Sequence, residues 1–174
     1  MKLAYHIPNK LYWIHDFLPY EQYKRIHTAI HKERKKIPFS SAKETWNPVL
    51  NKNLRPIEHV VVDNKYFSFY ETLLKHNPIE AVKGKCVFQI HSWRYGSGIN
   101  WHNDGNHKYG ITYYINRRWN EHWGGEFMFK DNNQHGFIPV RGNSVIIVKQ
   151  SCMHKVNQVL SPTVPRITIQ SFVS

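Results

Sequence analysis

A chain of 174 residues, 41% hydrophobic and 14% aromatic, can bury one core but not two of ordinary size. The formal charge of +12 is spread as +7 over residues 1–85 and +5 over 86–174. That excludes a basic tail and leaves two readings: an acidic partner (nucleic acid, a ribosome surface, an acidic peptide) or a soluble surface with a basic bias.

Cys86 and Cys152 are the two cysteines, which excludes a disulfide framework and a cysteine-built zinc site. His6, Pro8 and Asn9 interrupt the start of the chain before an apolar run develops, and no apolar segment approaches membrane-spanning length. The expectation is a cytoplasmic protein with no membrane partner.

Leu11 to Leu18 reads as a short strand running into Pro19. A helix is predicted from Tyr20 to Lys36, with Tyr23, Ile26 and Ile30 on one face and a basic end that suits the helix C-terminus. Residues 37–58, rich in Pro, Asn and Ser, read as loop, with Trp46 a candidate for a pocket rim. A second helix is predicted from Asn64 to His76, with Phe67, Tyr70 and Leu74 on one face, stopping at Asn77-Pro78. Residues 79–85 are a connection.

From Cys86 the character changes to short strands, predicted at 86–95, 99–102, 109–116, 126–130, 136–139, 144–149, 153–159 and 166–173. They are punctuated by Gly96-Ser97-Gly98, Gly124-Gly125, Arg141-Gly142-Asn143 and similar turns. The fold class is mainly β with N-terminal helices (α+β), a sandwich or jelly roll. One domain is expected: residues 1–85 as helical support and 86–174 as the core.

His102 and Asp104 are two apart, so on a strand they share a face. An imidazole and a carboxylate converging there need a third ligand, and His154, before the closing strand, is the best candidate. Two imidazoles and one carboxylate suit mononuclear iron(II) and leave open positions. A His-x-Asp pair alone is common and carries little. His31-Lys32-Glu33 has the same spacing on a predicted helix, where such residues do not face each other.

On the last strand Arg166 and Thr168 also share a face, and together they can hold a carboxylate. Tyr114 shares parity with Thr112, opposite Ile111 and Tyr113, and can add a hydrogen bond to the same carboxylate. Trp93, Arg94, Trp101, Trp119 and Trp123 are either the walls of a substrate groove or packing between sheet and helices. His91, His107 and His135 lack a carboxylate at this spacing and are taken as surface or structural. Arg117, Arg118 and His122 read as a solvated loop.

The ordered series is Tyr95-x-x-Gly98, His102-x-Asp104, Thr112-x-Tyr114-x-Asn116, Gly124-Gly125-Glu126-x-x-Phe129, Pro139-x-x-Gly142, His154-x-Val156 and Arg166-x-Thr168. It resembles the prolyl-4-hydroxylase-like branch of the iron(II)- and 2-oxoglutarate-dependent dioxygenases, over about residues 86–173. Trp13 to Leu18 and the helix after it are similar to that branch's N-terminal opening.

The resemblance implies a double-stranded β-helix. It implies iron(II) on His102, Asp104 and His154, with these and Arg166 as the catalytic set. 2-Oxoglutarate would chelate the metal, its far carboxylate meeting Arg166, Thr168 and Tyr114. Tyr95 would lie near the cosubstrate and Val156 would pack along its carbon chain. Dioxygen would be the second cosubstrate, ascorbate a stimulant, and succinate and carbon dioxide the co-products. The implied substrate is a peptide or protein, at proline or in an acidic context. Several prolyl hydroxylases carry an Arg soon after His-x-Asp, where this chain has Asn106-His107-Lys108. Compact members also occur in viral genomes, for which the compartment would be the host cytoplasm.

Three rivals stand beside this expectation. One is an oxygenase of the same fold acting on nucleic acid or a small molecule, which the basic charge favours. Another is a non-catalytic basic binding module, against which Asp104 and Arg166 both argue. A halogenase-type variant replaces the carboxylate with a small residue, and Asp104 excludes it.

Overall fold

The computed structural model describes residues 1–42, 47–80, 86–105, 107–132 and 134–174. Trp46, Asn106 and most of the predicted 79–85 connection lie outside the described residues.

Strands β1 (Lys2–Ile7) and β2 (Leu11–His15) form a hairpin that turns through Asn9 at φ 58°. Helix α1 (Tyr20–Glu33) follows Pro19 and buries Tyr23, Ile26 and Ile30, the face its spacing predicts. Strands β3 (Ser40–Ser41) and β4 (Glu58–Val62) come next, then a short helix α2 (Tyr70–Lys75). The rest is β5 (Val87–Trp93), β6 (Ile99–His102), β7 (Tyr109–Tyr114), β8 (Phe127–Asp131), β9 (Gln134–Ile138), β10 (Val145–Lys149), β11 (Met153–Val156) and β12 (Arg166–Val173).

The strands form two antiparallel sheets. Among the described residues one has eight strands in the order β1-β2-β10-β7-β12-β5-β4-β3, the other four in the order β6-β11-β8-β9. This is the jelly roll expected from the strand count and turn punctuation.

Alternation along the central strands divides the apolar side chains between two cores. Ile111 and Tyr113 of β7, Val145 and Ile147 of β10, and Ile167 and Ile169 of β12 pack toward Ile26, Ile30 and Phe67 on the helical side. Tyr114, Ile146 and Val148 turn the other way, toward Phe127, Phe129 and Ile138 of the smaller sheet. Each such side chain contributes about 1.5–3 kcal/mol when fully buried. The consequence for function is a rule of parity: even-numbered residues of β7 and β12 face the space between the sheets.

Two expectations are corrected. Residues 1–85 do not merely supply helical support, because β1 to β4 make up half of the larger sheet, with β2 pairing β10 and β4 pairing β5. The second helix is also shorter than predicted. Phe67 and Phe69 are both fully buried, with ring centroids 5.3 Å apart. Residues two apart cannot share a helical face, so the chain turns through 64–69 and becomes helical only at Tyr70. Among the described residues, no helix is long and apolar enough to cross a membrane.

Candidate active site

Strand β6 ends at His102, so Asp104 lies beyond it rather than on it. The Asn103 side chain accepts from the Gly105 N–H at 3.2 Å, and Gly105 takes φ +56°, a conformation that suits glycine. This turn folds the Asp104 carboxylate back toward the sheet. Its Oδ1 lies 3.9 Å from His102 Nε2 and 3.6 Å from His154 Nε2. The two imidazoles are brought together by strand register, His154 of β11 standing opposite His102 of β6, with ring centroids 4.3 Å apart.

Each imidazole is held by its other nitrogen. His102 Nδ1 is 2.8 Å from the Asn100 carbonyl, and His154 Nδ1 is 3.0 Å from the Cys152 carbonyl. A carbonyl can only accept, so Nδ1 carries the proton in both rings and the Nε2 lone pairs point at the shared space, the outer-shell arrangement typical of metal-bound histidine. Burial pushes both imidazoles down to about 4, which keeps them neutral at physiological pH, and Phe127 stacks on His154 at 5.0 Å.

Burial also raises the Asp104 carboxyl, and its Oδ2 is buried without a hydrogen-bond partner. A Cβ at Gly110 would overlap that oxygen, so glycine there leaves the carboxylate its room. Two neutral imidazoles and one unsatisfied carboxylate, with ligand atoms within 4.8 Å of one another, fit a divalent cation such as iron(II). Among the described residues this is the single group of three or more His, Cys, Asp or Glu so arranged.

The second half of the site is Arg166, fully buried, with Nε and Nη1 unpartnered and Nη2 donating to the Tyr114 hydroxyl at 3.1 Å. Its guanidinium lies 4.9 Å from both the Trp93 and the Tyr114 ring centroids. Among the described residues no carboxylate pairs with it, and its Nε and Nη1 donors suit an anion. Thr168 stands opposite Tyr114 and His91, and its hydroxyl accepts from Trp93 Nε1 at 3.1 Å, which leaves its own O–H free to donate. Gly125, at φ +77°, makes this possible, because a Cβ there would come within 2.9 Å of Arg166 Cδ. One cavity is lined by the three candidate ligands and Arg166, together with Trp93 and Val156. A larger cavity, between β2 and residues 75–80, has no metal-ligating cluster among its described residues, so chemistry rather than volume locates the site.

Tyr95 does not join the site. Strand β5 ends at Trp93, and the turn closed by the Ser97 N–H on the Arg94 carbonyl swings Tyr95 outward, 58% exposed, into a different cavity. Trp93 takes the place expected of it, and His91, two residues earlier on the same face, also lines the cavity. Both were legible as inward positions once β5 was paired with β12. His107, bonded to Ser174, and the exposed His135 stay outside. The tryptophans do not form one groove. Trp93 is inside, Trp101 lies under Lys130 and Lys155, and Trp119 and Trp123 pack edge to face at 5.2 Å.

Two predictions arise here. Trp93→Phe keeps a ring over Arg166 but removes the donor to Thr168. Loss of one hydrogen bond of about 1 kcal/mol should raise the 2-oxoglutarate KM about fivefold while kcat changes less. Steady-state kinetics in 2-oxoglutarate check this. The second concerns acid stability. Burial holds His91 at about 3 and His27 at about 4, against 6.5 for an unfolded histidine. The unfolded chain therefore binds more protons below 6.5, so stability is present above that pH and is lost as pH falls from 6.5 through 4. Asp104, raised by burial, pulls the other way. Thermal melts from pH 7.5 to 4.5 should show a midpoint that declines mainly below about 6.5.

A jelly roll with two neutral imidazoles, a carboxylate and a buried arginine in one cavity defines a non-haem metal oxygenase class of site. A family model described as the 2OG-Fe(II) oxygenase superfamily matches residues 88–174, and the chain belongs to that superfamily, whose members use iron(II), 2-oxoglutarate and dioxygen. No curated protein matches the chain in sequence.

Solved structures with the same fold include a prolyl-4-hydroxylase from Pseudomonas putida, 13% identical, with TM-score 0.70, covering 94% of this chain and 91% of that one. Another is a Trichoplax adhaerens prolyl hydroxylase in complex with a peptide fragment of the hypoxia inducible factor oxygen degradation domain, 16% identical, with TM-score 0.72 and coverage of 95% and 83%. A third is the alpha-ketoglutarate-dependent carbocyclase SnoK from nogalamycin biosynthesis, 11% identical, with TM-score 0.69 and coverage of 94% and 78%.

Proposed function

We propose that this dioxygenase hydroxylates a peptide or protein, at prolyl residues, with His102, Asp104 and His154 holding iron(II) and Arg166 anchoring 2-oxoglutarate. One observation carries this assignment: the cavity that holds the triad also holds a buried arginine with two unpartnered donors. Iron(II) held by His102, Asp104 and His154, with 2-oxoglutarate anchored at Arg166, would supply the activation of dioxygen, with succinate and carbon dioxide as co-products.

The chain's own residues do the rest. Arg166 Nε and Nη1, with the Tyr114 and Thr168 hydroxyls, receive the far carboxylate. Val156 and Ile99 line the cavity and exclude water along the carbon chain. The Asn100 and Cys152 carbonyls fix the imidazoles in the tautomer that offers Nε2 to the metal. The likeness to prolyl hydroxylases, one of them solved with a peptide, supports the prolyl substrate.

A second substrate class, a small molecule, is favoured by the likeness to the carbocyclase. Mass spectrometry separates the two. Incubation with iron(II), 2-oxoglutarate and a panel of proline-containing peptides should add one oxygen to a prolyl residue. Succinate formation that no peptide stimulates or is altered by would overturn the peptide assignment.

A further inference from the structure

A second polar cavity, of about 210 Å³, lies apart from the active site. Three arginines from separate parts of the chain line it: Arg34 at the C-terminal end of α1, Arg55 before β4, and Arg94 in the turn after β5. Ser92, which accepts from Arg34 Nη2 at 3.0 Å, alternates along β5 with His91 and Trp93, so this cavity and the active site lie on opposite faces of that strand. Ser161 and Thr163, from the loop before β12, complete the wall, and Tyr95, a residue 58% exposed, stands at the rim.

The charge in the cavity is unbalanced. Arg94 Nε pairs with Glu58 at 2.9 Å, while no ion pair is formed by Arg34 or Arg55 among the described residues. Three cations against one carboxylate leave an excess of two positive charges. Arg34 is half-buried, and both burial and the neighbouring Arg94 press against its charge. Converging like charges at a partly desolvated site cost free energy that an anion would return. Guanidinium forks match the oxygens of a phosphoryl group, which carries about −1.5 to −2 at neutral pH. The Ser161 oxygen accepts from the Val164 N–H at 3.0 Å, so its own O–H is free to donate. An exposed aromatic ring beside a phosphoryl site suits a stacked base.

We infer that this cavity binds the phosphate monoester of a nucleotide, with Arg34, Arg55 and Arg94 on the phosphoryl group and Tyr95 against the base. Calorimetric titration of the full chain with inorganic phosphate, AMP and acetate tests it. Phosphate should bind saturably, AMP more tightly, and acetate not at all. Arg55 is exposed and outside the catalytic site, so Arg55→Gln should fold, which a thermal melt verifies, and should leave succinate formation unchanged. It should weaken phosphate and AMP by about tenfold or more, the loss expected for one charge-assisted contact. Arg166→Met should leave AMP binding unaltered. Absence of saturable phosphate binding, equal affinities in Arg55→Gln and the parent, or AMP binding no tighter than phosphate would each overturn the assignment. So would AMP binding that is lost in Arg166→Met and kept in Arg55→Gln.

Discussion

Asp104→Ala should yield a folded protein that no longer responds to iron. The carboxylate is buried, raised by burial, and has one oxygen without a partner, so in the metal-free state its removal relieves an unfavourable charge. The metal-free thermal midpoint should therefore stay level or rise. In the parent chain, iron(II) should raise the midpoint, because a ligand bound only by the native state stabilises it. In the variant that increment should vanish. Loss of outer-shell partners alone costs 10- to 100-fold in affinity or activity, so loss of a ligand should lower succinate formation by more than about 100-fold. An unchanged iron response and unchanged turnover would remove Asp104 from the metal site. Low turnover with a collapsed midpoint would show that the carboxylate is structural.

Arg166→Met should separate cosubstrate binding from metal binding. The guanidinium is fully buried between two aromatic rings, and a methionine of similar length can fill that slot. Truncating one partner of a buried charged pair costs about 2–5 kcal/mol, so the 2-oxoglutarate KM should rise by about 30-fold or more. The iron-dependent shift in thermal midpoint should persist. An unaltered 2-oxoglutarate requirement would point to another anchor. Simultaneous loss of the iron response would show that the two halves of the site are not independent.

The site was legible in the sequence where one rule of local geometry sufficed. Period-two alternation put Arg166 with Thr168 and Tyr114 with Thr112; in the structure Arg166 and Thr112 line the cavity, while Tyr114 bonds to Arg166 and Thr168 to Trp93. His102 and Asp104 do converge, although through a turn stabilised by Asn103 and Gly105 rather than along a strand.

What the sequence hides depends on where strands stop and on what approaches them from afar. Tyr95 would share a face with Trp93 had β5 continued two residues further, and the turn at Arg94 to Ser97 decides otherwise. Gly110 carries no signal in the sequence and Gly125 reads only as turn punctuation and one position of the ordered series, until the Asp104 carboxylate and the Arg166 side chain are seen beside them. Strand β1 shows no alternating pattern, because Leu3, Ala4 and Tyr5 are consecutive and exposed and only Ile7 is buried, so pairing with β2 holds it. Residues 58–62 follow a loop-like stretch and form β4 through pairing with β5.

The most direct test of the central claim is succinate production from 2-oxoglutarate in air by the full chain, with iron(II) added and then with a chelator in its place. Succinate that forms with iron, stops with the chelator, and returns when iron is restored is the predicted result. A chain that binds no iron and forms no succinate under any of these conditions would contradict it.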